Sequence, residues 1–148
     1  MLKNSLTEIF KRDLDKLKDE INLFEKEEDI WITPGSIKNS PGNLCLHICG
    51  NLNHFVGSIL GKSDYVRERE KEFSIKNLPR KELLETIEKT SSVVAKTLEK
   101  LDQESFNNRY PIDVFESEMS TEFFLIHLTT HLNYHLGQIN YLRRILID

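Results

Sequence analysis

Apolar residues return every three to four positions along four stretches of the chain, and no stretch of comparable length alternates apolar and polar residues as a strand would. The first stretch, residues 2–24 with its end by residue 26, places Leu6, Ile9, Phe10, Leu14, Leu17, Ile21 and Phe24 on one face and charged residues opposite, the pattern of a bundle helix. The second, residues 42–61, carries Leu44, Ile48, Leu52, Phe55 and Ile59 and adds Cys45, Cys49 and Val56 on a further face, so it is predicted to lie centrally. Pro79 opens the third, residues 79–101, built on Leu83, Leu84, Ile87, Val94, Leu98 and Leu101. Ser120 or Thr121 is placed to cap the fourth, residues 120–147, built on Phe124, Leu128, Leu132, Ile139, Leu142 and Leu146.

The connections carry turn signals rather than periodicity. Pro34-Gly35 and Ser40-Pro41-Gly42 punctuate residues 27–41, with Ile30-Trp31-Ile32 expected to tuck against the bundle and Trp31 to plug the core rather than wall a pocket. Charged residues dominate 62–76, and residues 102–118 form a loop long enough to cover a site. Gly50 and Gly57 inside the second helix each cost roughly 1 kcal/mol relative to alanine, which implies that a ligand or a neighbouring helix packs close to them. The expected architecture is all-α: a four-helix bundle of antiparallel-type helices with long crossover connections, forming a single domain over residues 1–148.

Composition narrows the function. With 39% hydrophobic and 30% charged residues the chain reads as an ordinary soluble protein. A formal charge of −4, from 20 basic and 24 acidic residues, leaves no basic surplus for phosphates, so nucleic acid is not an expected partner. Cys45 and Cys49 stand one turn apart, a placement suited to two buried thiols in a reducing cytoplasm rather than to a disulfide. No signal-peptide core and no run near ~20 apolar residues is present, so neither export nor membrane insertion is expected.

The candidate chemistry lies in the histidines. All five fall on the second and fourth helices, as His47 and His54, then His127, His131 and His135. Residues four apart share a helix face, so a consecutive pair on the fourth helix can close on one ion, while His127 and His135, about 12 Å apart along the axis, cannot. The apolar stripe centres near His135 and Leu142 with His127 at its edge, which favours His131 and His135; two buried imidazoles without partners would be costly to desolvate. On the second helix His47, Asn51, His54 and Ser58 form a polar line, in which His47 and His54, about 10.5 Å apart, are alternatives that position does not decide between.

The segment His131-Leu-Asn-Tyr-His135-Leu-Gly-Gln138-Ile-Asn-Tyr-Leu-Arg143 closely resembles the final-helix signature HxxxHxGQ of the DinB-like superfamily, and Asn43-Leu-Cys-Leu-His47-Ile-Cys-Gly-Asn51-Leu resembles the segment that supplies that family's other histidine. The resemblance, closest to an uncharacterised branch, implies a divalent metal, zinc or nickel, held by His47, His131 and His135 with positions open to water or substrate. Characterised members include bacillithiol S-transferases and mycothiol-dependent maleylpyruvate isomerases, which suggests a metal-dependent transferase or hydrolase that activates a thiol or water. The alternative is a non-catalytic, metal-stabilised binding or stress-associated module. A zinc peptidase is set aside, because Leu132 stands where that motif needs glutamate. His54, Asn51 and Gln138 are candidates to orient ligands or move a proton; Arg143 is read as a surface arginine near the C-terminus in preference to a partner for an anionic substrate. Phe123, Tyr134 and Tyr141 on one side of the last helix are expected either to form a homodimer patch or to line the pocket of a small-molecule or thiol substrate.

Overall fold

Ser40 sets where the second helix begins: its hydroxyl accepts from the Asn43 amide at 3.1 Å, and Pro41 fills the first helical position, where a missing N–H costs nothing. The computed structural model describes residues 1–147. It contains α1 (Leu2–Leu23), a 3-10 turn (Glu27–Trp31), α2 (Pro41–Leu52) continued by a π-helical segment (Asn53–Leu60), α3 (Arg69–Ser74), α4 (Arg80–Lys100), α5 (Gln103–Asn107) and α6 (Thr121–Ile147). Ser120 caps α6 through the Phe123 amide at 3.0 Å. The protein is all-α, as its periodicity predicts; among the described residues the β pairing is limited to one isolated bridge, Arg109 to Ser120.

The helix directions correct the antiparallel expectation. Asn53 bonds Thr90 at 2.9 Å, Gly57 faces Val93 and Gly61 faces Thr97, so the α2 segment and α4 advance together and run parallel. Likewise Asp13 meets Asn133 and Glu20 meets Asn140 and Arg143, so α1 and α6 are parallel. The other neighbours oppose: Lys3 reaches the Glu99 carbonyl while Lys18 pairs with Glu88, and His47 meets His131 while Phe55 meets Phe124. Two parallel helices in succession need a connection that returns the length of the bundle. Residues 61–79 make that return along α2, and the charged stretch thereby becomes a wall of the site.

A single cluster of buried side chains joins α1, α2, α4 and α6, from Phe10, Leu14 and Leu17 through Ile48 and Leu52 to Leu83, Leu128 and Leu132. Every residue of α2 except Leu46 is buried, which bears out its central placement. Ile30 is buried and Trp31 lies over Gly42, where an added Cβ would come within 2.7 Å of the ring, but Ile32 remains exposed. The loop predicted over 102–118 contains α5 and does not reach the histidine cluster: Tyr110 donates its hydroxyl to the Phe55 carbonyl at 2.6 Å, and Phe115 packs on His127. No helix among the described residues is long and apolar enough to cross a membrane.

Candidate metal centre

One turn of α2 and two turns of α6 face each other at mid-bundle, and both seams carry histidine where a bundle ordinarily carries leucine. The His131 Nε2 atom lies 3.1 Å from Nε2 of His47 and 3.2 Å from Nε2 of His135. The ring edges approach one another in T-shaped pairs with centroids 4.5–5.0 Å apart. Nitrogens about 2.0–2.1 Å from one ion at right or tetrahedral angles lie about 2.9–3.4 Å from each other, so this donor set could hold a metal ion.

The outer nitrogens establish which tautomers face inward. His47 Nδ1 donates to Glu72 Oε1 at 3.1 Å, and His135 Nδ1 donates to Gln138 Oε1 at 2.8 Å. With its proton on the outer side, either ring turns a lone pair on Nε2 toward the centre. Converging lone pairs repel unless a cation sits among them. Proton binding is a poor substitute: burial first, then the positive charge that His135 and His47 would carry, pushes His131 down to about 3. Burial also lowers His135, against the bond to Gln138, which acts the other way. His131 and His135 are thus held below the ordinary imidazole value, which keeps their nitrogens available to a metal.

Behind His47 stands a carboxylate that periodicity does not reveal. Glu72, on α3, is buried; Arg67 grips it through Nε at 2.9 Å and Nη2 at 3.0 Å. Burial alone would raise the Glu72 carboxyl, but the bonds from His47 and Arg67 outweigh it and hold it below its ordinary range. Asn43, one turn before His47, fastens α3 in place: its Nδ2 donates to the Glu72 carbonyl at 2.9 Å and the Ile75 carbonyl at 2.8 Å, while its Oδ1 accepts from Ser40 and Lys76. Gly50 makes room for the carboxylate, since a Cβ there would fall 1.9 Å from Glu72 Oε2. The two glycines therefore report close side chains, Glu72 at Gly50 and Val93 at Gly57, rather than a ligand.

The remaining candidates separate. Gln138 touches the cluster through His135, whereas Asn51 is buried with its Oδ1 unpartnered among the described residues. His54 packs edge-on against Phe55, lowered by burial and by Arg67, and lies outside the cluster. From Asn53 the helix continues in π-helical form, so His54 and Ser58 do not continue the α-helical register of His47 and Asn51. His127 stacks on Phe124. Arg143 is neither a free surface arginine nor a partner for an anion: it is largely covered and committed to Glu20 at 2.6 Å. Glu72, Arg67 and Asn43 escape the sequence reading; Gly50 is the one trace of them, legible only once its neighbour is known.

Comparison with known proteins agrees with this architecture. A crystal structure described as the conserved protein of locus from Enterococcus faecalis superposes with a TM-score of 0.78 over 97% of this chain and 96% of that one, at 12% identity, a likeness of fold alone. No curated protein matches the sequence. A family model does, over residues 4–148, and the chain accordingly belongs to the family described as Protein of unknown function (DUF1572).

Proposed function

We propose that this chain is a single-domain DinB-like metalloprotein in which His47, His131 and His135 hold one divalent ion, zinc or nickel. Its activity on this reading is that of a transferase or hydrolase that activates a low-molecular-weight thiol or a water toward a small-molecule substrate. The observation that carries the reading is the set of three converging Nε2 atoms, two with their outer nitrogens bonded to acceptors. Among the described residues no fourth histidine, cysteine or carboxylate joins the group, whereas a closed structural site would recruit one. When bound, the ion supplies Lewis acidity that lowers the pKa of a thiol or water in a remaining position. Glu72 and Gln138 hold the two outer imidazole protons and so keep His47 and His135 in the ligating tautomer. The free thiols of Cys45 and Cys49, both buried, support a cytoplasmic location.

Metal analysis of untagged protein tests the reading. We expect one equivalent of divalent metal in the parent, none in His131→Ala, and close to one in His127→Ala. Loss of metal from His127→Ala with retention in His135→Ala would show the wrong register; full retention in His131→Ala would end the metal reading.

A further inference from the structure

Residues 36–39, in the connection before α2, stand opposite the outer face of α6 across a cleft of about 610 Å³. Leu44 and Leu142, both buried, form its floor. The α6 wall is apolar yet open to solvent: Tyr134 and Tyr141 are 65% and 66% exposed, and Ile37 opposite them is 46% exposed. His135 and Gln138 supply its polar edge, so the cleft reaches the residues that bond at the histidine cluster. No acidic residue lines it, in a chain whose net charge is −4. Its one charged lining residue, Lys38, makes no hydrogen bond or ion pair with the described residues.

We infer that this cleft is a binding site for a small molecule with an aromatic or aliphatic body and one anionic group, the body seated between Tyr134, Tyr141 and Ile37 and the anion paired with Lys38. The volume falls in the range of sites for such ligands. The chemistry follows from the lining: apolar walls take up a hydrocarbon body, and an unpaired lysine among the lining residues selects for negative charge. Naming the ligand a substrate rests on the metal reading above; the binding site itself does not.

Fluorescence titration of the metal-free full-length chain tests it with two probes, anionic 8-anilinonaphthalene-1-sulfonate and neutral N-phenyl-1-naphthylamine. The sulfonate is expected to bind saturably at one site, and Lys38→Glu to weaken it about tenfold while leaving the neutral probe within twofold. Tyr141→Ala is expected to weaken both probes. Sulfonate binding indifferent to Lys38→Glu overturns the inference, as does sedimentation showing a dimer in which Tyr141→Ala breaks the dimer without changing probe binding. Separate zinc titration keeps the two ideas apart: protein that takes one zinc but no sulfonate refutes this inference alone, and Lys38-dependent sulfonate binding by protein that takes no zinc refutes the metal reading alone.

Discussion

Replacing Glu72 by glutamine keeps the side chain's shape and removes its charge, which isolates what the carboxylate does for His47. In the parent the carboxylate accepts from His47 Nδ1 at 3.1 Å and from Arg67 at 2.9 and 3.0 Å, with the Arg67 side chain 12% exposed. Glutamine leaves that guanidinium without a counter-charge and weakens the hold on the imidazole proton. Breaking a largely buried charge pair of this kind costs about 2–4 kcal/mol of folding stability. Loss of the group that orients a ligating histidine lowers metal affinity about 10–100-fold, or about 1.4–2.7 kcal/mol. Zinc affinity measured by competition with a chromophoric chelator, at a temperature where circular dichroism shows both proteins folded, separates the two effects. Gly50→Ala is the companion variant. It leaves every polar group in place but sets a Cβ 1.9 Å from Glu72 Oε2, so the carboxylate must move. Helix propensity alone would make this alanine stabilising by about 1 kcal/mol; we expect destabilisation and weaker zinc binding instead. A stabilised Gly50→Ala protein with parental zinc affinity, or a Glu72→Gln protein within twofold of the parent, would refute the coupling between α3 and the histidines.

Asn43→Ala removes three hydrogen bonds that fasten the α3 segment to α2 and a fourth to Ser40 at the start of α2, and we expect a loss of about 2–4 kcal/mol in urea denaturation together with weaker zinc binding. Arg143→Ala breaks the pair with Glu20 that joins α1 to α6, at a cost of about 1–2 kcal/mol with zinc affinity unchanged, read by the same two assays. His131 is held down to about 3 in the fold, below the ordinary value of 6.5. Its contribution to the stability of the metal-free protein is therefore fully present above about pH 6.5 and falls away as pH drops toward 3. Thermal melts across that window should show the decline in the parent and a shallower one in His131→Gln.

The helical periodicity of residues 2–24, 42–61, 79–101 and 120–147 was enough to determine the four long helices, because a helix that must bury one face announces it every three to four residues. The same regularity put His131 and His135 on one face of α6, and the choice of that pair over His127 followed from where the apolar stripe runs. Both depend on relations within one helix, which the chain carries locally. Helix direction does not have that property. Nothing in the spacing of apolar residues says whether α2 and α4 run parallel, yet that relation sends residues 61–79 back along α2 and sets Arg67 and Glu72 behind His47. The short α3 buries only Glu72, too little for a periodic signal, and is held by the side chain of Asn43, 29 residues from Glu72 in sequence. In the π-helical segment from Asn53 the Phe55 carbonyl accepts from the Tyr110 hydroxyl, 55 residues away, a contact that local spacing does not carry either. Sequence spacing thus determined that His131 and His135 could share an ion and left His47 or His54 to the family resemblance; tertiary packing decided which carboxylate holds the outer proton of His47, because that bond joins segments that only the folded bundle brings together.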